Sequence, residues 1–437
     1  MSKKNKTNKK LPKLRFPEFR NAEEWEEKTL ADISSRIVDK VGNLLLTPVS
    51  ITAATGFVTQ AEKFGRDISG EQYKNYIILN KGDFAYNKGY SKTFPQGSIY
   101  KLKEFEKVAA PNAFICFKFK KEYIGDFYQY YFEKNYHGIQ LKKFITSGAR
   151  GDGLLNINPN DFFCILFPSP SLPEQKKIAD CLSSIDELIS THSQKLDKLK
   201  EYKKGLMQQL FPAEGETVPK LRFREFRKAG DWEEKKIEDL LNQGIIIDHL
   251  DGNHGELYPK SEEFSTDGIP YISANDFIDG FVDFAYCKYL PLERAKLFKK
   301  GVAKNGDILF AHNATVGPVA KLITTFKYVI LSTTATYFRC DNKYLLNDFL
   351  KFSLSTPYFV KQYTRVMSQS TRNQVPITTQ RKFNLHLPCL AEQQEIANCL
   401  SSLDELIFAQ SQKLESLKVH KKGLMQKLFP SMDEDSE

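Results

Sequence analysis

A mixed α/β (α+β) protein is predicted, in which two globular bodies are joined by two long helices that pack on one another. Three observations predict it. A basic and aromatic phrase occurs twice, a helical segment of 41 residues occurs twice, and the stretches between the copies share a strand-then-helix plan while differing in sequence. At 437 residues the chain exceeds one core and suits two domains of ordinary size. With 41% hydrophobic and 13% aromatic residues it can bury both cores.

Residues 1–20 come first, with eight Lys or Arg against the single acid Glu18, and they carry most of the formal net charge of +9. This start is expected to be a basic tail, disordered before Leu11 and adding nonspecific attraction to phosphate, followed by an entry segment to the first body. It ends in KLRFPEFR (13–20), which returns as KLRFREFR (220–227); each copy stands shortly before one of the two tryptophans, Trp25 and Trp232. The phenylalanines Phe16, Phe19, Phe223 and Phe226 are expected to fasten the bodies to the helices rather than to stack on bases.

The first body, 21–171, has β-like stretches YIILNKGDFAYN and NAFICFKF, then a helix-like run from about Tyr123 to Thr146. The second, 213–389, has DILFAHNA and TATYFRC, then a helix-like run from about Tyr344 to Ser368. Gly82-Asp83 and Gly306-Asp307 stand where a strand begins, the composition of a tight turn.

The helical segments occupy 172–212 and 390–430, with about two-thirds of positions identical. In the first, Ile178, Leu182, Ile185, Ile189, Leu196 and Leu199 alternate steps of four and three around a polar break at His192. The second repeats the register at Ile396, Leu400, Leu403, Ile407, Leu414 and Leu417, with Gln410 at the break. A single stripe cannot be buried alone, so the two helices are expected to pack together. His192 and Gln410 share one polar notch; a register-setting polar pair is the plainer reading, a ligand or switch the sharper one. An acidic tail, 431–437, closes the chain.

Charge is distributed unevenly. Between Asp83 and Glu104, and between Asp307 and Asp341, no acid occurs; the same holds from Lys134 to Gly151 and from Phe349 to Ala391. Two acid-free basic intervals per body suggest one electropositive face each, which a polyanion requires. Within them Asn87, Lys88, Tyr90, Ser91, Lys92, Lys142, Lys143 and Arg150 are the DNA-binding candidates of the first body. Those of the second are His312, Asn313, Thr315, Arg365, Gln369, Arg372, Asn373 and Gln374. Arg and Lys suit guanine, Asn and Gln suit adenine, and each residue could equally meet a phosphate.

Catalytic signatures are missing. No phosphate-binding glycine loop, dinucleotide fingerprint, zinc-protease motif or nucleophile elbow occurs, and the seven cysteines lack metal-ligand spacing, so no catalytic or metal residue is assigned. NPND at 158–161 departs from the adenine-methyltransferase tetrapeptide at its third and fourth letters. An odd cysteine count without an apolar signal region or membrane-length run points to reduced thiols in the cytoplasm and no membrane partner.

From Leu11 to Pro430 the sequence resembles the specificity (S) subunits of type I restriction-modification systems. The resemblance is carried by the paired Gly-Asp strand starts, the junctions PSPSLPEQKKIA and PCLAEQQEIA, the helix ends GLMQQLFP and GLMQKLFP, and the repetition itself. It implies two target recognition domains, each reading one half of a bipartite double-stranded DNA target, joined by an antiparallel coiled coil with pseudo-two-fold symmetry. It also implies two methylation subunits carried on this scaffold, restriction subunits joined through them, and no cofactor here, with methyl donor and ATP on those partners. About 37 helical residues would span roughly 55 Å, more than one turn of DNA. Two departures touch the first body: KGDFAYN lacks the usual ILFA, and RGDGLLNI lacks the common Gln before Asn. The rival readings are a stand-alone DNA methyltransferase or nuclease, and a coiled-coil adaptor with two protein-binding heads.

Overall fold

The computed structural model describes residues 11–52, 55–89, 92, 94–145, 155–369 and 371–431. The chain forms two compact units, residues 1–190 with 415–437, and residues 191–414. Each boundary falls inside a long helix, so each unit contains one body and a portion of both helices.

In the first unit an antiparallel sheet orders Ser34–Arg36, Ile115–Phe119, Phe84–Asn87 and Ser98–Lys101. A second sheet orders Gly56–Thr59, Thr47–Thr52, Lys107–Ala110 and Ile77–Asn80. Helix Gly125–Glu133 buries Phe127, Tyr128, Tyr130 and Tyr131, whose rings fill the space beneath the first sheet. In the second unit a six-stranded sheet runs Ile246–Asp251, Ala335–Cys340, Ile308–Asn313, Thr315–Lys321, Phe281–Val282 and Phe277–Ile278. Beside it lie a four-stranded sheet and helices Asn347–Ser353 and Pro357–Met367. Each body also closes on a two-stranded ribbon, Glu26–Thr29 with Leu166–Ser169 and Glu233–Lys236 with Asn384–Leu387.

The Gly-Asp pairs are turns. Gly82 and Gly306 have φ of 95° and 92°, a region closed to most side chains. The following aspartates accept from the backbone N–H of Asn80 at 2.8 Å and of Lys304 at 2.7 Å, tying the turn shut. Asp83 and Asp307 are buried, and their pKa values rise above the usual carboxylate range because burial disfavours the charged form.

The long helices are Leu172–Leu210 and Leu390–Leu428. In the first unit Ile178, Leu182 and Ile185 are buried; the first two share a core with Met425, Leu428 and Phe429. In the second, Leu196, Ile396, Leu400, Ile407 and Leu414 are buried, and Leu403 and Leu199 partly so. Ile189 and Leu417, near the unit boundaries, are half-buried. Within the second unit His192 meets Gln410 and Lys203 meets Asp404, so the helices run antiparallel. The Gln410 amide donates to His192 Nδ1 at 2.7 Å and to its carbonyl at 2.8 Å, a polar pair that fixes register.

The duplicated phrases prove to be mounts. Arg15 forms a two-pronged ion pair with Glu174, Nε at 2.8 Å and Nη2 at 2.5 Å; Arg222 does the same with Glu392 at 2.8 and 2.6 Å. The next residue along each helix is a glutamine that clamps the body. Gln175 accepts from Ile124 N–H, and Gln393 accepts from Leu346 N–H. Phe16 and Phe223 pack against the two cores. Trp25 meets Phe127, which stacks on Phe429; Trp232 meets Phe349, which stacks on Phe211. Backbone bonds repeat too: Leu14 N–H to Lys427 carbonyl and Leu221 N–H to Gln209 carbonyl, both 2.9 Å.

Glu392 is almost wholly buried, so deleting its partner would strand a charge in the interior. Arg222→Ala is therefore expected to destabilise by about 3–5 kcal/mol in urea unfolding, and Arg222→Met with Glu392→Gln by clearly less. Equal losses would show that the ion pair itself, rather than the orphaned carboxylate, sets the cost.

Candidate nucleic-acid interface

Each body brings its two acid-free intervals together at one edge of its sheet. In the first, Asn135 Nδ2 donates to Gln96 Oε1 at 3.2 Å and His137 pairs through Nε2 with the Gly97 carbonyl at 3.1 Å, joining the two intervals, while Leu155 N–H, past the second interval, donates to the Lys88 carbonyl at 3.0 Å. In the second, Val375 N–H donates to the His312 carbonyl at 2.8 Å. Asn313 bridges Gln374 there, and Ala314 N–H donates to the Asn373 carbonyl at 3.0 Å while Asn373 Nδ2 returns a bond to Ala314 at 2.8 Å. Ala314 is the one-residue tip between Ile308–Asn313 and Thr315–Lys321, with φ of 63°. A left-handed alanine costs about 1–3 kcal/mol, and the bonds from Asn373 hold it there.

The candidates divide by what their side chains already do. Thr315, Gln369, Arg372 and Asn373 are exposed at the second body's edge, and Gln374 is half-buried beside them. Lys92, Lys142 and Lys143 are exposed in the first. Asn87 accepts from Gly89 N–H at 3.0 Å, and Lys88 reaches the Ile157 carbonyl at 3.5 Å, so both shape the loop they belong to. Asn313 points its amide toward the Thr333 carbonyl at 3.4 Å. Tyr90, Ser91 and Arg150 lie outside the described residues.

Two candidates are placed otherwise than the sequence suggests. His312 is buried, its Nδ1 donating to the Val375 carbonyl at 3.2 Å, so it supports the edge from below. Arg365 is exposed but bound to Glu214 at 2.7 Å, and Lys361 pairs with the same carboxylate. The electropositive face is also narrower than the intervals imply. Lys101 pairs with Asp126, Lys321 with Asp348, Arg339 with Asp307, and Lys351 is buried against Asp404. Those carboxylates come from other stretches of chain, which a linear count of charges cannot see.

Sequence reasoning missed the floor of this edge. Gln380, fully buried, accepts from Thr336 Oγ1 and pairs with His249 Nε2, both at 3.1 Å, and donates to the Val375 carbonyl at 2.9 Å. His249 stacks flat on Phe338 with ring centroids 4.0 Å apart, and Arg381 donates to its carbonyl. No periodicity marks these residues; a polar residue between apolar ones, as in ATYFRC, was the available hint. Among the described residues no group of His, Cys, Asp or Glu is placed to hold a metal ion, and no helix is long and apolar enough to cross a membrane.

Two segments, residues 22–201 and 229–419, match the family model described as Type I restriction modification DNA specificity domain. The chain belongs to this family. Each matched domain starts just past a KLRF mount and runs into a long helix. The chain is 25% identical over 424 residues to the putative type I restriction enzyme MjaX specificity subunit of Methanocaldococcus jannaschii, covering 93% of both chains. It is 26% identical over 321 residues to the MjaVIII specificity subunit of the same organism, 71% of each. The crystal structure of the type I restriction-modification system S subunit from M. genitalium matches with a TM-score of 0.61, 97% of this chain and all of that one, at 16% identity. That likeness establishes the fold.

Burial pushes His249 down to about 3 and His137 down to about 4. An unfolded histidine titrates near about 6.5, so below that pH the unfolded chain binds protons that the native chain refuses. Stability is therefore lost as pH falls from about 6.5 toward those values. In imidazole NMR, His249 and His137 are expected to stay neutral from pH 7.5 to about 5.5. Titration of either near pH 6.5 would contradict the buried, neutral assignment.

Proposed function

We infer that this chain is the DNA-recognition specificity subunit of a type I restriction-modification complex. The observation that carries the reading is the combination of identical mounts with different bodies. Arg–Glu pair, glutamine clamp and tryptophan cluster recur in both units, while the edges formed by the acid-free intervals differ residue by residue. A protein that must hold two different readers in the same way has that pattern. Each body then reads one half of a bipartite target, with Thr315, Arg372 and Gln374 offering base or phosphate contacts in the second. The long helices set the number of unread base pairs and carry two methylation subunits, through which restriction subunits join. Methyl donor and ATP belong to those partners, and the complex works in the cytoplasm.

The rival enzyme reading is disfavoured by the lack of any methyl-donor or nucleotide motif in the sequence. The adaptor reading is disfavoured by family membership and by acid-free intervals that meet on one edge.

Mixing the chain with methylation subunits and mapping methylated adenines on plasmid DNA tests the reading. The complex is expected to modify a split sequence and the lone chain to modify nothing. Methyl transfer by the lone chain, or modification without sequence preference, would overturn it. Each turn-sized change in the helices should move the two half-sites. Removing four residues from both, around His192 and Gln410, shortens each by about 6 Å and is expected to change the unread gap by about two base pairs. An unaltered gap in methylation mapping would refute the ruler.

A further inference from the structure

The two units carry the same helix position in opposite electrostatic states. In the first, Lys421 bonds Asp186 at 2.7 Å and Glu133 at 2.8 Å, and the Tyr130 hydroxyl donates to Asp186 at 3.0 Å. The cation is outnumbered. Burial opposes its charge, yet the two carboxylates hold its pKa above the ordinary lysine value.

In the second unit the equivalent pair is Lys203 with Asp404, 2.5 Å apart. Aligning the phenylalanines that stack on the helix-end rings, Phe127 and Phe349, places Lys351 where the first body has Gln129, Phe352 at Tyr130 and Ser355 at Glu133. An acid and a hydroxyl have gone, and a second buried ammonium has arrived: Lys351 Nζ also meets Asp404, at 2.6 Å, with 6% of its side chain exposed. There the carboxylate is outnumbered. Burial holds Lys351 below the ordinary lysine value, and Asp404 offsets only part of the penalty.

Space has opened as well. A cavity of about 640 Å³ lies over this cluster, lined by Lys200, Lys203, Lys204 and Lys351 against Asp279 and Asp404, an excess of two positive charges. Lys200 pairs with Asp279 at 3.3 Å, and Lys204 makes no ion pair among the described residues. Met207, Val319 and Ile407 supply an apolar wall. The Asp279-Gly280 turn, with φ of 47° and 86°, forms one rim; a Cβ on Gly280 would come within 3.0 Å of the Lys351 ammonium.

We propose that this cavity is a binding site for a small organic phosphate, a dianionic phosphate monoester on an apolar body. The dianion matches the excess charge, the ammoniums supply charge-assisted bonds in a partly dry setting, and the wall takes the body. The site stands apart from the DNA-reading edge, so its failure would leave the proposed function intact.

Calorimetric titration of the full chain with phenyl phosphate, benzoate and inorganic phosphate tests it. Saturable binding of phenyl phosphate is expected, about tenfold tighter than either benzoate or inorganic phosphate. Lys351→Met is expected to weaken it by about tenfold or more. Ser355→Glu, an exposed change that restores the acid of the first unit, should do the same without burying anything new. Three results would overturn the proposal: no saturation by phenyl phosphate at millimolar concentration, equal binding of all three anions, or undiminished binding to folded Ser355→Glu.

Discussion

A guanidinium and a carboxylate, buried together, are what each half of this protein is assembled around. Arg15 with Glu174 and Arg222 with Glu392 tie the segment that leads into a body to the first turn of the helix that follows it. The pair is two-pronged, so it fixes orientation as well as distance. The same arginines donate to the carbonyls of Ala22 and Ala229, which aims the chain toward the tryptophan. From that point the ribbon, the tryptophan cluster and the glutamine clamp follow with the same geometry in both units. The parts that differ hang from this frame and are free to differ because none of them builds it.

That separation explains what could be read from the sequence and what could not. The mounts were legible because repetition is visible without knowing any contact. The helix seam was legible because apolar residues every three or four positions have one cheap solution, and its polar break at His192 and Gln410 announced a pair. The Gly-Asp turns were legible from steric rules alone. Charge was only half legible. Counting acids along the chain found intervals that meet in the fold, but it counted Lys351, Arg339, Lys321 and Lys101 as surface charge. Their partners Asp404, Asp307, Asp348 and Asp126 lie between 25 and 53 residues away. Arg365 was claimed by Glu214 at a separation of 151. His312 was misplaced for a related reason: a strand of alternating residues does not say which end of an imidazole faces inward.

The sheet edge of the second body also shows how a flexible-looking tip is made rigid. Ala314 sits in a conformation its Cβ resists, and the backbone of Asn373 and its side chain answer both of its peptide groups. Beneath it, Gln380 ties Thr336, Val375 and His249 together, so the edge rests on a satisfied polar floor rather than on loosely packed loops. Side chains at that edge are thereby presented with small positional error, as a recognition surface requires.

The core of the first unit contains Met425, Leu428 and Phe429, and the segment that leads into it is bonded at Leu14 to Lys427. Translation delivers those residues only after the whole of the second body. The body that leaves the ribosome first must therefore wait, with Phe127 lacking the Phe429 ring it stacks on, until the second body and its helix have been made. The core of the second unit draws on none of Met425, Leu428 and Phe429. Completion of the two cores thus runs against the order of their synthesis, the body made first being closed by residues made after the second body.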